Sequence, residues 1–224
     1  MARHKGPKIT TRGLIFAVDI NNPQSYDSGS APLDVVNIVD PSITGSLKNG
    51  VLIENGGWGF TNNTEIIDFG TSLGDVLGNS NTGVSVELWV YRNSTPNAGY
   101  FSFTNYVNGH GEFETKSVNT VYNLAMNSAV TLITTPTAFP VNNWDHVVCT
   151  YDGVNGSLYV NSVLEKEGAD ATALNFIGLK FILGGYYGTP YSMDGQIKAC
   201  NVYNTTLTSD EIKQNYNSMK SKYI

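Results

Sequence analysis

Charged side chains are scarce in this sequence. They make up 14% of its 224 residues, against roughly a quarter in a typical soluble domain. The polar character comes instead from Asn, Ser, Thr and 23 glycines, which accept turn geometry. Together with a hydrophobic content of 41%, this composition favours many short strands joined by turns around a substantial core.

Long apolar runs and a cysteine framework are also missing. No stretch approaches the length of a membrane span, and the N-terminus lacks the apolar centre of a secretory signal. We therefore expect no membrane partner, and synthesis in a host cytoplasm without a signal peptide. Cys149 and Cys200 both lie in strand-like runs. Free buried thiols are the default for such residues, and a disulfide between them stays open.

The excess of negative charge lies outside the first twelve residues. Residues 1–12 contain Arg3, Lys5, Lys8 and Arg12 and no acid, so this segment carries +4 and the remainder −10. An acidic body argues against nucleic acid as the main partner. The basic segment is either a solvated terminus or an arm, through which these four residues bind an acidic neighbour.

The sequence NNWDHVVCTYDGVNGSLYVN, residues 142–161, predicts a β-hairpin. Val147, Cys149 and Tyr151 alternate onto one face, and the glycine-containing DGVNG supplies the turn. We expect these three residues, with Trp144, in the core. A capping box and an apolar stripe from residue 208 onward predict a short helix that seals one end of the fold.

VSVELWVY, residues 84–91, predicts a central strand with apolar residues on both faces, and Trp89 is expected to fill space between layers. Residues 21–50 are interpreted as a long covering loop. Strands at intervals of about 8–12 residues indicate a sandwich or barrel. Further strands are predicted at 13–19, 50–54, 64–69, 99–104, 112–116, 121–126, 129–134, 163–166, 180–184 and 196–203.

Three stretches together resemble the laminin-G-like, concanavalin-A-like jelly roll: VSVELWVY, WDHVVCTYDGVNGSLYVN and LGGYYGTPYSMDGQIKACNVYNTTLTSDEIKQNY. This resemblance covers residues 84–216 and departs in residues 27–60. The opening GLIFAVDINNPQSY is similar to that of such domains in tailed-phage virion proteins. The resemblance implies an all-β, two-sheet antiparallel jelly-roll sandwich with a short C-terminal helix, forming one domain over residues 13–224 after the basic arm of residues 1–12.

The function implied by the resemblance is less specific, because such jelly rolls occur as lectins, protein-contact modules, hydrolase appendages and virion proteins. We predict a non-enzymatic structural protein of a tailed-phage virion. It would be a capsid decoration or tail-surface protein bound to other virion proteins, at the virion surface and compatible with an oligomer. The alternative is a glycan-binding adhesin that attaches to the host surface, with or without calcium.

Catalytic motifs are weak. GTSLG at residues 70–74 matches the nucleophile elbow G-x-S-x-G, but that motif needs a following helix in a parallel sheet, so a turn is expected. The E-x-D-x-x-E pattern of concanavalin-like glucanases is absent, and Glu87 stands alone. No zinc spacing is present. Asp152 and Asp194, each beside a glycine, are candidate calcium ligands, with turn capping as the alternative.

Aromatic residues in loop-like settings are the remaining candidates for a binding site. Trp58, Tyr100, Tyr186, Tyr187 and Tyr191 lie near glycines. Rings of this kind stack on the apolar faces of sugars, and they are also enriched in protein interfaces. A third interpretation is simple packing over the edges of the sheets, and the sequence leaves all three open.

Overall fold

Two antiparallel β-sheets face each other in the computed structural model, and a C-terminal helix covers one of them. The structure describes residues 8–26, 34–54, 56–61, 64–80, 83–94, 98–105, 112–118, 120–126, 131–185 and 192–224. Its elements are β1 Leu14–Asp19, β2 Asp34–Val36, β3 Thr44–Lys48, β4 Leu52–Glu54, β5 Gly57–Thr61, β6 Ile66–Asp68, α1 Ser72–Leu77, β7 Asn79–Ser80, β8 Val84–Arg92, β9 Ala98–Thr104, β10 Phe113–Val118, β11 Val121–Met126, β12 Thr131–Thr134, β13 Trp144–Tyr151, β14 Asn155–Val160, β15 Val163–Ala169, β16 Leu174–Asn175, β17 Lys180–Leu183, β18 Asp194–Tyr203 and α2 Ser209–Tyr223.

The strand order confirms the predicted jelly-roll sandwich. The first sheet, called sheet A, runs β15-β14-β13-β8-β18-β5-β4, and β1 also pairs with β18. The second, sheet B, runs β12-β11-β10-β9-β17-β6-β3-β2. A small ladder joins β7 to β16. None of the helices in the described ranges is long and apolar enough to cross a bilayer.

The core lies between the two sheets and follows the predicted alternation. Strand β8 is central, because it pairs with β13 on one side and β18 on the other. Val147, Cys149 and Tyr151 point into this core, as expected for the hairpin, and each is 0% exposed. Cys200 is buried there too, and both cysteines are free thiols. Sheet B contributes, among others, a group of phenylalanines that pack at ring-centroid distances of 4.7–6.4 Å.

Helix α2 lies across the outer face of sheet A, instead of sealing one end of the sandwich. The ring of Tyr216 stacks on Trp89 at 5.8 Å and 7°, so Trp89 fills the layer between sheet and helix. The capping box of Thr208 and Glu211 is confirmed. Trp144 is only half-buried on this same outer face, so the prediction that it belongs to the inner core is wrong.

Residues 21–50 are not a single covering loop, because β2 and β3 extend the edge of sheet B. Val35 anchors this edge with 0% exposure. The glycine-rich stretch near residue 57 is also a strand, β5, and it pairs with β18. Gly57 permits this pairing, since a Cβ there would lie 3.0 Å from the Cβ of Gln196.

The GTSLG stretch forms the start of helix α1 where a turn was expected. The backbone conformation of one glycine and the close packing of the other explain why glycine occupies both positions of this motif. Gly70 has a φ of 64°, a left-handed conformation that favours glycine. A Cβ on Gly74 would lie 2.4 Å from the carbonyl oxygen of Phe176. The motif thus reflects close packing of α1 within an antiparallel sandwich, and the parallel sheet of a nucleophile elbow is not its context.

Candidate functional site

A cleft of about 430 Å³ opens on the outer face of sheet A, beside the end of α2. Its walls are the segment of residues 139–143, the paired strand ends at Tyr91 and Trp144, the turn at Asn161 and the last two residues of the chain. Every residue that lines it belongs to the described ranges. We call this feature the Tyr91–Trp144 cleft.

The two aromatic rings of the cleft are cross-strand partners. Tyr91 in β8 lies directly opposite Trp144 in β13, and their ring centroids are 5.4 Å apart with an angle of 49° between the planes. Both side chains are half-buried. Since α2 ends just before this row of the sheet, the rings meet the cleft instead of a covering helix. Half-buried rings of this kind offer apolar surface with a polar tip.

Two asparagines extend the polar wall of the cleft. Asn142 and Asn143 are exposed, and no other described residue hydrogen-bonds their side-chain amides. Asn142 has a φ of 63°, and its backbone N–H donates to the carbonyl oxygen of Arg92 at 2.7 Å. The backbone is therefore fixed, while both amide groups stay available to a ligand as donors and acceptors.

Asp145 also lines the cleft, and its carboxylate is buried. Asp145 is 4% exposed and accepts hydrogen bonds from the hydroxyl of Tyr122 at 2.8 Å and from Nδ2 of Asn161 at 3.0 Å. Burial raises the pKa of Tyr122 well above its ordinary value, with Tyr100 and Asp145 adding to the effect. The Tyr122 hydroxyl therefore stays protonated and remains a donor, which holds the carboxylate in one orientation.

Arg92 lies beside the Asp145 carboxylate, on the inner side of the sandwich. Its guanidinium is 2% exposed, lies 3.8 Å from Asp145 and sits over the ring of Tyr122 at 4.4 Å. Its Nη2 also donates to the carbonyl oxygen of Phe139 at 2.7 Å. One buried cation thus balances the carboxylate and fixes the loop wall, so the cleft is preformed.

A second polar cluster lies beneath α2. Glu87 is 1% exposed, and its Oε1 lies 2.5 Å from Nε2 of the fully buried His146. Its Oε2 accepts from Asn201, Tyr203 and Asn215 at 2.9–3.2 Å. Burial raises the pKa of Glu87, but hydrogen bonds and charge from His146, with those from Asn201 and Tyr203, lower it below its ordinary value. Asn215 belongs to α2, so this carboxylate joins the helix to sheet A.

The outer face of sheet B carries a third group of ionisable residues. Glu114 is 0% exposed, and its carboxylate lies 3.6 Å from Nζ of Lys116. Further across the sheet, Lys180 pairs with Asp68 at 3.0 Å. These pairs neutralise charge along the sheet surface, and Lys116 supplies the buried carboxylate of Glu114 with an opposite charge.

The predicted aromatic platform is wrong for two of its members. Trp58 is 0% exposed and packs edge-on against Tyr26 at 6.2 Å. Tyr100 is 1% exposed and packs against Tyr122. Both residues point into the core because they belong to strands β5 and β9, not to loops. Tyr186, Tyr187 and Tyr191 lie outside the described residues.

Arg12, which was predicted to bind a neighbouring protein, is engaged within the chain. Its guanidinium makes two 2.7 Å hydrogen bonds to the carboxylate of Glu211 and further bonds to Thr205 and Thr206. The N–H groups of the guanidinium are thus bonded within the chain, to residues at and just before the start of α2. Lys8 is exposed, and its carbonyl accepts from Gln214 at 2.7 Å. Arg3 and Lys5 lie outside the described residues.

The two candidate calcium ligands do not share a site. Asp152 accepts from the backbone N–H groups of Val154 and Asn155 at 2.8 and 2.6 Å, which is turn capping. Asp194 accepts from the side chains of Asn93 and Ser94. The two aspartates lie at opposite ends of β8, on the order of 25 Å apart by strand rise. In the described part of the chain, no three His, Cys, Asp or Glu residues gather into a metal site.

Sequence reasoning missed the Tyr91–Trp144 cleft. A signal was present, because Tyr91 ends the clearest strand and the pair Asn142-Asn143 directly precedes Trp144. What the sequence did not show is that β8 and β13 are neighbours in this register. The same pairing explains the Glu87–His146 contact, which joins two residues 59 positions apart.

Comparison with known proteins agrees with this fold. The profile of the Laminin_G_3 family, the concanavalin A-like lectin/glucanases superfamily, matches residues 68–213. Among curated proteins, none matches. Among solved structures, a mutant of Trypanosoma rangeli sialidase displaying trans-sialidase activity has a TM-score of 0.70 and 16% identity, over 95% of this chain and 34% of that chain. Trypanosoma rangeli sialidase in complex with sialic acid has a TM-score of 0.68 and 15% identity, over the same shares.

A botulinum neurotoxin type C structure, whose description states that cell entry depends upon interaction with two ganglioside molecules, has a TM-score of 0.62 and 11% identity. The match covers 92% of this chain and 51% of that chain. This chain therefore spans about a third of the matched sialidases and about half of the matched toxin. At these identities the likeness shows a shared fold.

These comparisons correct the prediction that the chain is not an enzyme. That prediction depended on the missing E-x-D-x-x-E pattern, yet solved structures with this fold include sialidases. The reasoning was too narrow, because sialidases are among the glycosidases that do not follow the usual scheme of two carboxylates.

The match to the family profile covers more than half of the sequence and contains the central strand β8, the β13–β14 hairpin and the start of α2. The two-sheet topology has the same architecture as that family. The chain belongs to the concanavalin A-like lectin/glucanases superfamily.

Proposed function

We propose that this chain binds glycan in the Tyr91–Trp144 cleft. The observation that carries the proposal is the combination of two half-buried rings with the unbonded amides of Asn142 and Asn143. Sugar rings present both an apolar face of C–H groups and a rim of hydroxyls, so a site for them needs both kinds of surface. Structures with the same fold are described as binding sialic acid and gangliosides, which supports the proposal.

Each part of the cleft has a separate task in this function. The aromatic rings contact the apolar face of a sugar and exclude water from it. The asparagine amides exchange hydrogen bonds with hydroxyl groups at the rim. The Asp145 carboxylate, which Tyr122 and Asn161 already orient, holds the turn at Asn161 in place, so little ordering is required when a ligand arrives.

Binding of the whole chain to a glycan array, followed by calorimetry on the best ligand, tests the proposal. Tyr91→Ala is expected to weaken binding about tenfold or more, because it removes the stacking surface. Asn143→Ala removes a hydrogen-bonding group and is expected to cost about threefold to tenfold. Asn217→Ala is the matched control, since Asn217 is exposed on α2 away from the cleft. Unchanged affinity in Tyr91→Ala, or an array without any bound glycan, would overturn the proposal.

Two additions to this experiment address the wider context. Repeating the titration with calcium and with a chelator tests whether the ion assists binding. Release of sialic acid from sialosides, measured with the same preparation, tests whether the protein hydrolyses glycosides. The similarity to sialidase structures suggests this activity for a whole protein. Because the chain spans about a third of those sialidases, the whole protein's activity and substrates are part of the proposal.

A role at the surface of a tailed-phage virion is the second candidate. The opening GLIFAVDINNPQSY supports it by its similarity to virion domains, and so does the charge of +4 in residues 1–12. Thr10 and Arg12 are bonded to α2, so the arm that remains for a neighbouring virion protein comprises residues 1–7. Glycan binding and a virion location are compatible, because a virion protein can attach to a host-surface glycan.

Deletion of residues 2–7 tests the arm while Thr10 and Arg12 keep their bonds to α2. The shortened protein is expected to fold normally and to lose its association with virus particles, since two of the basic residues are removed. Full loading of the shortened protein onto particles would contradict an anchoring arm.

A further inference from the structure

Lys198 is a cation without an anionic partner beside the cleft. Its Nζ lies 4.0 Å from the centre of the Trp144 ring and 5.6 Å from that of Tyr223, and both rings line the cleft. Within the described ranges, no carboxylate lies within 4.0 Å of this ammonium group. The side chain is half-buried, so part of its positive charge is removed from water without a direct ion pair in the described part of the chain.

A β-bulge is what directs Lys198 toward the cleft. In β18, Ile197 pairs with Val90 and Ala199 pairs with Trp89, so Lys198 is the extra residue between them. Ile197 and Cys200 both belong to the inner core, whereas Ala199 packs on the outer face. The extra residue thus joins Ala199 on the outer face. Bulges of this kind re-aim side chains and are common next to binding sites.

The neighbouring charged side chains make other contacts. Asp145 has Arg92 at 3.8 Å. At the end of α2, Lys222 lies 3.7 Å from Asp19, and Lys220 lies over the ring of Tyr216 at 5.3 Å. These two lysines supply the positive charge that the end of a helix favours. Of these cations, Lys198 is the one that lies over the ring of Trp144, a residue that lines the cleft, although the chain as a whole carries −6.

We infer that the Tyr91–Trp144 cleft selects a sugar that carries an anionic substituent, a carboxylate or a sulfate, and that Lys198 is its charge partner. This inference rests on the proposed function and names the class of glycan. The ammonium covers one face of Trp144, which leaves the ring of Tyr91 and the amides of Asn142 and Asn143 to contact the sugar. Burial also lowers the pKa of Lys198, as expected for an ammonium in a medium where an opposing charge counts for more than in water.

The test compares ligands that differ only in charge. Calorimetry on the whole chain would use lactose, sialyllactose and sulfated lactose, with the wild type, Lys198→Met and Lys198→Arg. Methionine keeps the apolar stem and removes the charge, whereas arginine keeps the charge. Lys213→Met is the control, because Lys213 is exposed on α2. The wild type is expected to prefer at least one anionic ligand over lactose about tenfold or more, the range of a charge-assisted hydrogen bond.

The expected pattern separates this inference from the proposed function. Lys198→Met should remove the preference by weakening the binding of the anionic ligand more than that of lactose, and both Lys198→Arg and Lys213→Met should retain it. Sialyllactose and sulfated lactose together show which anion is selected. Equal binding of lactose and both anionic ligands by the wild type, or an equal loss for all three in Lys198→Met, would overturn the charge role while glycan binding stands. Absence of binding to every glycan would overturn both proposals.

Discussion

Arg12 shows how a single side chain fixes the start of the chain on the body of the protein. Its guanidinium spans Glu211, Thr205 and Thr206, and Thr10 adds a 2.7 Å bond from its backbone N–H to Oδ1 of Asn215. Glu211 is also the third residue of helix α2 and completes the capping box with Thr208. The same carboxylate therefore serves both the helix terminus and the N-terminal segment.

The Arg12–Glu211 pair predicts a specific dependence of stability on pH. The hydrogen bond from Arg12, assisted by Thr208, lowers the pKa of Glu211 from 4.5 to about 2. A carboxyl group whose pKa is depressed in the folded state contributes stability above its unfolded pKa and loses it as the pH falls through the folded value. Between pH 4.5 and about 2, the free energy of unfolding should therefore fall less steeply in Glu211→Gln than in the wild type.

Urea unfolding at several pH values in this window checks the expectation. The difference is expected to be small, since the Arg12 side chain is 49% exposed and such pairs are screened by solvent. Glu54→Gln is the control, because Glu54 is exposed on the edge strand β4. Parallel pH profiles for the wild type and Glu211→Gln would contradict the assignment of the pair.

Gly74 gives a second prediction at this scale. An added Cβ would lie 2.4 and 2.5 Å from the carbonyl oxygens of Phe176 and Leu179, and backbone atoms cannot rotate away as a flexible side chain can. Gly74→Ala is therefore expected to lower the free energy of unfolding by about 1–3 kcal/mol. Gly59→Ala serves as the control, because its nearest contact is an ordinary 3.5 Å. Thermal unfolding of both variants measures the difference, and equal stability would show that α1 can move without cost.

At the scale of elements, α2 depends on the buried carboxylate of Glu87. The helix packs on Trp89 through Tyr216, Met219 and Tyr223, and Asn215 reaches Glu87 from the helix itself. The apolar contacts hold the helix against the sheet but are not directional. Glu87, by contrast, makes directional hydrogen bonds with side chains of β13, β18 and α2. This cluster sets the position of the helix, and through it the end wall of the cleft.

Glu87→Gln should destabilise the protein by about 3 kcal/mol or more. The amide group of glutamine brings its own donors toward His146, Asn201, Tyr203 and Asn215, so at least one buried donor is left unpaired. Unfolding in urea, followed by the fluorescence of Trp89 and the other tryptophans, gives the free energy. The exposed Glu54→Gln is again the matched control. A loss below about 1 kcal/mol would mean that the apolar contacts alone hold α2.

At the scale of the whole molecule, the sandwich shields its two thiol groups from solvent. Both thiols are 0% exposed, on strands β13 and β18 that flank the central strand β8. Burial raises the pKa of Cys149 to about 12 and that of Cys200 well above its ordinary value. Thiols in this state are poor nucleophiles, because the thiolate is the reactive form.

A thiol reagent should accordingly label neither cysteine in the native protein until the sandwich opens. In denaturant, both cysteines should react at once and yield two labels per chain by mass spectrometry. In native buffer, the labelling rate should follow global unfolding, because the two strands lie at the centre of sheet A. Rapid labelling of one cysteine in native buffer would show a local opening, and a mass without free thiols would show a disulfide.

Local patterns were sufficient for the elements that have strong alternation or caps. The hairpin of β13 and β14, the central strand β8 and the capping box of α2 each follow from residues that are close in sequence. Local patterns failed for β5, where glycines suggested a loop around Trp58. A strand forms there because β18 supplies hydrogen bonds along it, and that pairing partner lies more than a hundred residues away.

The sequence by itself determined an all-β sandwich or barrel with a capped C-terminal helix, because alternation, turn residues and caps are local properties, and its family resemblance implied the two-sheet jelly roll. Only the tertiary structure decided which residues form a site. It buried Trp58 and Tyr100, used Arg12 within the chain, and brought Tyr91 beside Trp144. The reason is that register between distant strands assigns each side chain to the core, to a helix-covered face or to solvent, and no short stretch of sequence contains that register.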